Sequence, residues 1–169
     1  ATVIDPAVSI PISKWLKSKQ LNLVAILQTH HHLDHIGGTE GLLQRWPKAE
    51  VIASEADKGR IPFQTFSVRG EMEFSLMGKS VKVINVNGHT SSHLAYYISS
   101  PNHSNQNPAL FCGDALFGAG CGRIFEGTFE QMYQSLRRIN SLPKETRVFS
   151  AHEYTEANLE WAMSIEPGN

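Results

Sequence analysis

Five of the six residues from His30 to His35 can bind a metal: the run reads Thr29-His30-His31-His32-Leu33-Asp34-His35-Ile36-Gly37-Gly38. Imidazole and carboxylate are the ligands that borderline cations such as Zn²⁺ prefer. So many ligand groups in one turn repel one another and are hard to desolvate without a cation between them. The ligands that complete such a site must come from elsewhere in the chain.

Three other stretches supply them, each just past an apolar, strand-like run. His89, in Gly88-His89-Thr90, follows residues 80–86. Asp114, in Cys112-Gly113-Asp114, follows residues 109–112. His152, in Ala151-His152-Glu153-Tyr154, follows residues 147–150, just as His30 and His32 follow residues 23–27. Loops at one edge of a sheet are where side chains from distant sequence converge. His30 and His32 are two apart, so in extended backbone they point the same way and His31 points oppositely. Asp34 and His35 lie on the following turn. This spacing predicts two metals, with His30, His32 and His89 at the first and Asp34, His35 and His152 at the second. Asp114 is the natural bridge, giving one oxygen to each cation. Two metals about 3.5–4 Å apart share a hydroxide whose pKa is lowered toward neutrality, which is hydrolytic chemistry.

Other candidates have plainer roles. His31 reads as structural or as a support to the ligands. His93 is either a donor behind the ligands or a satisfied core histidine, and His103 lies in a polar loop. Cys112 packs as a small hydrophobe in its strand. Cys121, between two glycines, carries no mark of a nucleophile. Gly37-Gly38 lets the chain turn closely beside the metals rather than cradling a phosphate.

These residues need a scaffold, and 169 residues give room for one domain, 1–169, with a real core. Hydrophobic content of 41% and charged content of 18% suit a soluble globular protein. The net charge of −1 comes with no run of Lys and Arg, which argues against nucleic acid as a partner. No apolar stretch approaches the roughly 20 residues of a membrane span. Two cysteines are too few for a disulfide framework and point to a reducing compartment. That compartment is the cytoplasm, or a mitochondrion if a targeting segment once preceded Ala1. Both ends read as cut, since the chain opens inside an apparent strand and stops just after a helix-like stretch.

Strand-like runs at residues 2–4, 23–27 and 51–53 alternate with helical patterns at 10–19 and 39–46. Residues 63–68, 71–76 and 80–86 are β-rich and separated by Arg69-Gly70 and Met77-Gly78, which read as hairpin punctuation. Strands at 94–99, 109–112 and 147–150 follow, with a polar loop at 100–108 and helices at 129–139 and 156–163. The order predicts two sheets packed face to face with helices on the outer faces.

The motifs resemble the metallo-β-lactamase superfamily, whose pattern is H-x-H-x-D-H plus a later His, Asp and His. Gly113-Asp114-Ala115-Leu116-Phe117, Gly120-Cys121-Gly122-Arg123-Ile124-Phe125-Glu126-Gly127-Thr128 and His152-Glu153-Tyr154-Thr155 narrow this to a similarity with the glyoxalase II (hydroxyacylglutathione hydrolase) family, over nearly the whole chain. The resemblance implies an α+β fold, a four-layer αββα sandwich, incomplete at the N-terminus and lacking a C-terminal helical domain. It implies the ligand sets given above, two divalent ions (Zn²⁺, with Fe or Mn as alternatives) and Asp5 as a support of the metal loop. The implied reaction converts S-D-lactoylglutathione to D-lactate and glutathione, with Asp34 also orienting the hydroxide. Arg123, Phe125 and Tyr154 would meet the glutathione moiety, Phe125 standing where some members carry Tyr. A monomer whose partner is a small glutathione thioester is expected. If the ends are truly missing, the chain would bind metal but handle the thioester poorly, and a sheet edge would be left unpaired. The rival readings are a persulfide dioxygenase of the same superfamily with a single Fe²⁺, a β-lactam or lactone hydrolase, and a truncated, non-enzymatic interaction domain.

Overall fold

The computed structural model describes residues 1–99 and 107–168. The chain divides into two compact units, one of Ala1–Met72 and one beginning at Glu73, each built around its own sheet. His103 and residues 100–106 of the predicted polar loop fall outside the described residues.

In the first unit, β1 (Thr2–Ile4), β2 (Ala25–Leu27), β3 (Glu50–Ser54) and β4 (Phe66–Val68) form a parallel sheet in that order. Ala25, Ile26 and Leu27 are fully buried, as a short unbroken apolar run in a parallel sheet requires. The helix α1 (Ser9–Ser18) tolerates Pro11 because first-turn N–H groups have no intrahelical acceptor. Its Leu16 and Ile12, four apart, join Leu42 of α3 (Thr39–Leu43) in one core cluster with Ile26 and Val51. Between α1 and α3 runs the short helix α2 (Leu33–Ile36), which carries Asp34 and His35.

The structure corrects the hairpin reading at Arg69-Gly70. β4 pairs in parallel with β3, Ile52 beside Phe66, and so closes the first sheet. Turn residues signal that the chain changes direction but do not say which strand it pairs with afterwards. Met77-Gly78 does make the expected hairpin: both residues have positive φ, 51° and 74°, which suits a two-residue turn matched to strand twist. It joins β5 (Glu73–Leu76) to β6 (Lys79–Asn85). The helix predicted at 39–46 is regular to Leu43 and continues as a turn in which the Trp46 N–H donates to the Leu42 carbonyl at 2.9 Å, just before Pro47.

The second sheet runs β5-β6-β7-β8-β9, with β7 (Leu94–Ser99), β8 (Ala109–Gly113) and β9 (Arg147–Ser150). β7 is antiparallel to both β6 and β8, while β9 is parallel to β8. Strands β6, β8 and β9 therefore run in one direction, and the segments leaving their C-terminal ends emerge at one edge of the sheet. A register shift between Phe111 and Gly113, with Gly113 at φ 51°, breaks the β8 ladder just before Asp114. Bulges of this kind re-aim the side chain that follows. The helix α4 (Phe129–Asn140) links β8 to β9 and contributes Ile139 to a core cluster with Ile84, Ala95, Leu110 and Cys112. The last helix, α5 (Thr155–Ile165), has no buried residue.

A capping box starts α4. Thr128 Oγ1 accepts from the Gln131 N–H and the Gln131 side chain accepts from the Thr128 N–H. Thr128→Ala is expected to lower unfolding free energy by about 1 kcal/mol, read from the urea midpoint at unchanged denaturant slope.

Candidate metal centre

In the first unit the centre begins with Asp5, the residue after β1. β1 and β2 are parallel neighbours with Ile4 beside Leu27, so Asp5 comes to lie next to the turn that leaves β2. Its φ of 47° is a conformation Asp tolerates better than most residues. Oδ1 accepts from the Thr29 N–H at 2.8 Å, and Oδ2 accepts from Thr29 Oγ1 at 2.6 Å and from His35 Nδ1 at 3.0 Å. Asp5, His30 and His35 each bring a potential ligand atom within 4.8 Å of the others. The Thr29 N–H, the Thr29 hydroxyl and His35 Nδ1 all engage the Asp5 carboxylate, which supports the loop through them.

These bonds decide which imidazole nitrogen can bind a cation. The Thr29 hydroxyl proton goes to Asp5, so Oγ1 accepts from His30 Nδ1, 3.0 Å away. The lone pair of His30 is then on Nε2. By the same logic His35 gives its Nδ1 proton to Asp5 and carries its lone pair on Nε2. His30 Nε2 lies 3.0 Å from His32 Nδ1, the His30 and His35 rings are 4.1 Å apart, and His35 Nε2 is 3.7 Å from Asp34 Oδ2. Two ligand atoms around a tetrahedral Zn²⁺ sit about 3.3 Å apart, given Zn–N bonds of about 2.0–2.1 Å. His30, His32, Asp34 and His35 are thus gathered in one cluster, with His30 and His35 buried and Asp34 exposed. His31 points elsewhere, as its intermediate position predicts: its Nδ1 is 3.8 Å from the buried carboxylate of Asp57, which Arg60 grips at 2.5 Å. The glycines act through contact. A Cβ on Gly38 would lie 2.7 Å from the Pro6 carbonyl oxygen and 2.6 Å from the Val8 carbonyl carbon, and the Gly38 N–H donates to that Pro6 oxygen at 2.7 Å.

In the second unit His89, Asp114 and His152 come together at the shared strand edge. Asp114 turns Oδ2 toward His89 Nε2 at 3.4 Å and Oδ1 toward His152 Nε2 at 3.6 Å. Both distances exceed a normal hydrogen bond and match the span between two ligands of one cation. His89 donates Nδ1–H to the Arg123 carbonyl at 2.7 Å, which leaves its lone pair on Nε2. Metal-binding histidines are oriented by partners of this kind. The donor set therefore fits a divalent cation. His93 is fully buried; its Nδ1 lies 3.1 Å from the Leu94 carbonyl and its Nε2 accepts from the Asp114 N–H at 3.2 Å. It holds the backbone of Asp114 in place.

Aromatic and cationic side chains border this cluster. Phe125 sets its ring edge-on to His89 at 5.3 Å, and the Arg123 guanidinium lies over Phe125 at 5.9 Å. On the other side Tyr154 stands 5.7 Å from the His152 ring and 5.3 Å from Phe117. Phe125 and Tyr154 are more than half exposed, at 60% and 51%, so both offer surface to a ligand.

Residues 1–152 match the model of the metallo-beta-lactamase superfamily. The chain belongs to this superfamily. Over 169 residues it is 56% identical to a hydroxyacylglutathione hydrolase of Synechococcus sp. (strain CC9605), covering 100% of this chain and 68% of that protein. A hydroxyacylglutathione hydrolase of Prochlorococcus marinus (strain MIT 9303) is 55% identical over 167 residues, 99% of this chain and 64% of the relative. The chain thus spans about two thirds of the length of these relatives. Among solved structures, the BLEG-1 B3 metallo-beta-lactamase superposes with a TM-score of 0.77 at 26% identity, over 91% of this chain and 81% of its own. The fold is that of the superfamily, with mixed α and β content and two sheets, as the motifs implied.

Sequence reasoning missed the role of Thr29 as a relay between Asp5 and His30, and missed the Asp57–Arg60 pair behind His31. Nothing in the linear order marks Asp57, because it reaches His31 only through the 3₁₀ turn Glu55–Asp57 at the end of β3. Among the described residues no helix is long and apolar enough to cross a membrane.

Asp5→Asn in this superfamily member sets an amide NH₂ against one of the three donors and so disturbs the tautomers of His30 and His35. A 10- to 100-fold loss of Zn²⁺ affinity is expected, measured by chelator competition; unchanged affinity would contradict the relay. Cys121 behaves differently from a reactive thiol. It is exposed on one side but lines an apolar recess of about 480 Å³ with Phe129, Met132 and Leu136, and this burial pushes its thiol pKa up. A raised pKa means less thiolate below it. Alkylation by iodoacetamide at about pH 8 should be slower than for free cysteine, of reference pKa about 8.5, with the gap closing as pH rises.

Proposed function

We propose that the chain is the catalytic part of a metal-dependent thioester hydrolase of the hydroxyacylglutathione hydrolase type, a single domain over 1–169 that cleaves S-D-lactoylglutathione to D-lactate and glutathione. The observation that carries the reading is Asp114, which offers its two oxygens to two different imidazole nitrogens. Relatives of that name at 55–56% identity support the substrate class. We assign cation binding to His30, His32, Asp34 and His35 in the first unit and to His89, Asp114 and His152 in the second, with one Asp114 oxygen for each of two cations. When bound, the metal pair supplies a Lewis acid and a water of lowered pKa; Zn²⁺ suits the nitrogen-rich set.

The chain's own residues do the rest. Asp34, an exposed carboxylate, orients the attacking water and accepts its hydrogen bond at Oδ. Arg123 meets a carboxylate or peptide oxygen of the glutathione moiety, Phe125 gives it an apolar surface without a hydroxyl, and Tyr154 flanks it from the His152 side. Attack on the carbonyl carbon by the oriented water, which gives up a proton to solvent, forms the new C–O bond, and the C–S bond then breaks with its electron pair leaving on sulfur as thiolate. A thiolate, of reference pKa about 8.5 for cysteine, leaves without a strong general acid. Its partner is a small glutathione thioester, and the chain acts as a monomer.

Metal analysis and turnover test this. The purified chain should take up about two equivalents of Zn²⁺ and release free thiol from S-D-lactoylglutathione. Asp114→Ala should lose more than the 10- to 100-fold typical of an outer partner. One iron per chain with no thiol release would favour the oxygenase reading instead.

A further inference from the structure

The segment Gly122 to Gly127 does more than present Arg123 and Phe125. It lies along the turn that carries His89 and is tied to it at several points. His89 gives its Nδ1 proton to the Arg123 carbonyl at 2.7 Å, and its own carbonyl accepts from the Phe125 N–H at 3.1 Å. The Gly127 N–H donates to the Gly88 carbonyl at 3.1 Å, and the Gly122 N–H donates to the Asp114 carbonyl at 2.9 Å. The segment approaches so closely that a Cβ on Gly122 would collide with the Asp114 carbonyl oxygen and lie 2.8 Å from His89 Nδ1. One carboxylate closes the arrangement with two bonds: Glu126 Oε2 accepts from both the N–H and the hydroxyl of Ser91, each at 2.9 Å. Ser91 is two residues past His89, so the carboxylate grips the far end of the turn whose near end the backbone bonds hold. A charged acceptor makes these bonds stronger than neutral ones.

We propose that Glu126 is a positioning residue for His89. By fixing Ser91 against the 122–127 segment, it sets the direction of His89 Nε2 and, through the same backbone, the places of Arg123 and Phe125. Metal affinity and the hold on the glutathione moiety then depend on one carboxylate that touches neither. This rests on the ligand assignment above.

The test compares the full chain with Glu126→Ala, Glu126→Gln and the double variant Ser91→Ala/Glu126→Ala, using Zn²⁺ in chelator competition. Glu126→Ala should weaken one Zn²⁺ equivalent about 10-fold and raise the KM for S-D-lactoylglutathione more than it lowers kcat. In the Co²⁺-substituted protein, the shifted His89 Nδ1–H resonance should exchange faster with solvent. Glu126→Gln keeps an acceptor oxygen and should recover most of the Zn²⁺ affinity, and the double variant should be no weaker than Glu126→Ala. Glu126→Ala binding Zn²⁺ as tightly as the unsubstituted chain, with unchanged His89 N–H exchange, would overturn the proposal. A chain that takes up no Zn²⁺ even before substitution would instead overturn the ligand assignment on which the proposal rests.

Discussion

A neutral imidazole can ligate a cation only through the nitrogen that lacks a proton, and every histidine in this centre is worth only as much as the bond that settles which nitrogen that is. His35 is settled by the Asp5 carboxylate, His30 by the same carboxylate acting through the Thr29 hydroxyl, and His89 by the Arg123 carbonyl. In each case the proton is drawn to Nδ1 and the lone pair to Nε2. The acceptors are a carboxylate and a hydroxyl beside the ends of paired strands and one backbone carbonyl in a loop bonded to Asp114 and His89. A cluster of histidines without such partners would be a set of interconverting tautomers, each costing affinity.

Strand direction supplies the rest of the order. Asp5 reaches Thr29 because β1 and β2 are parallel and adjacent, so their C-terminal ends coincide. His89, Asp114 and His152 meet because two antiparallel pairings and one parallel pairing leave β6, β8 and β9 pointing the same way. The register shift at Gly113 then turns Asp114, and His93 fixes its N–H from behind. These are small corrections to a sheet edge, yet they decide whether the two carboxylate oxygens face two different imidazoles or one.

The surface around the second cluster is unlike its interior. Arg123, Phe125 and Tyr154 are exposed and aromatic or cationic, while His89 and Asp114 are buried. A buried carboxylate such as Asp114 holds charge that the protein must compensate, whereas exposed side chains present a surface that a small polar molecule can approach. A nearly neutral chain overall agrees with a small ligand recognised locally and not through a long-range field.

Much of this was legible in the residue order. Strand-then-ligand spacing at four places, the alternation that sets His31 apart from His30 and His32, and the glycine-rich motif around Arg123 all survive folding as written, because they depend on periods of two residues and on local turns. Pairing did not survive in the same way: Arg69-Gly70 has hairpin composition, yet β4 joins the first sheet in parallel. The sequence by itself determined the candidate ligand types, their spacing and the apolar runs that carry them, since side-chain chemistry and short-range periodicity are properties of the chain. Only the tertiary structure decided which nitrogen of His30, His35 and His89 carries its proton, that Asp57 backs His31, and that Glu126 grips Ser91, since hydrogen bonds between segments 24 to 35 residues apart exist only after the strands have chosen their neighbours.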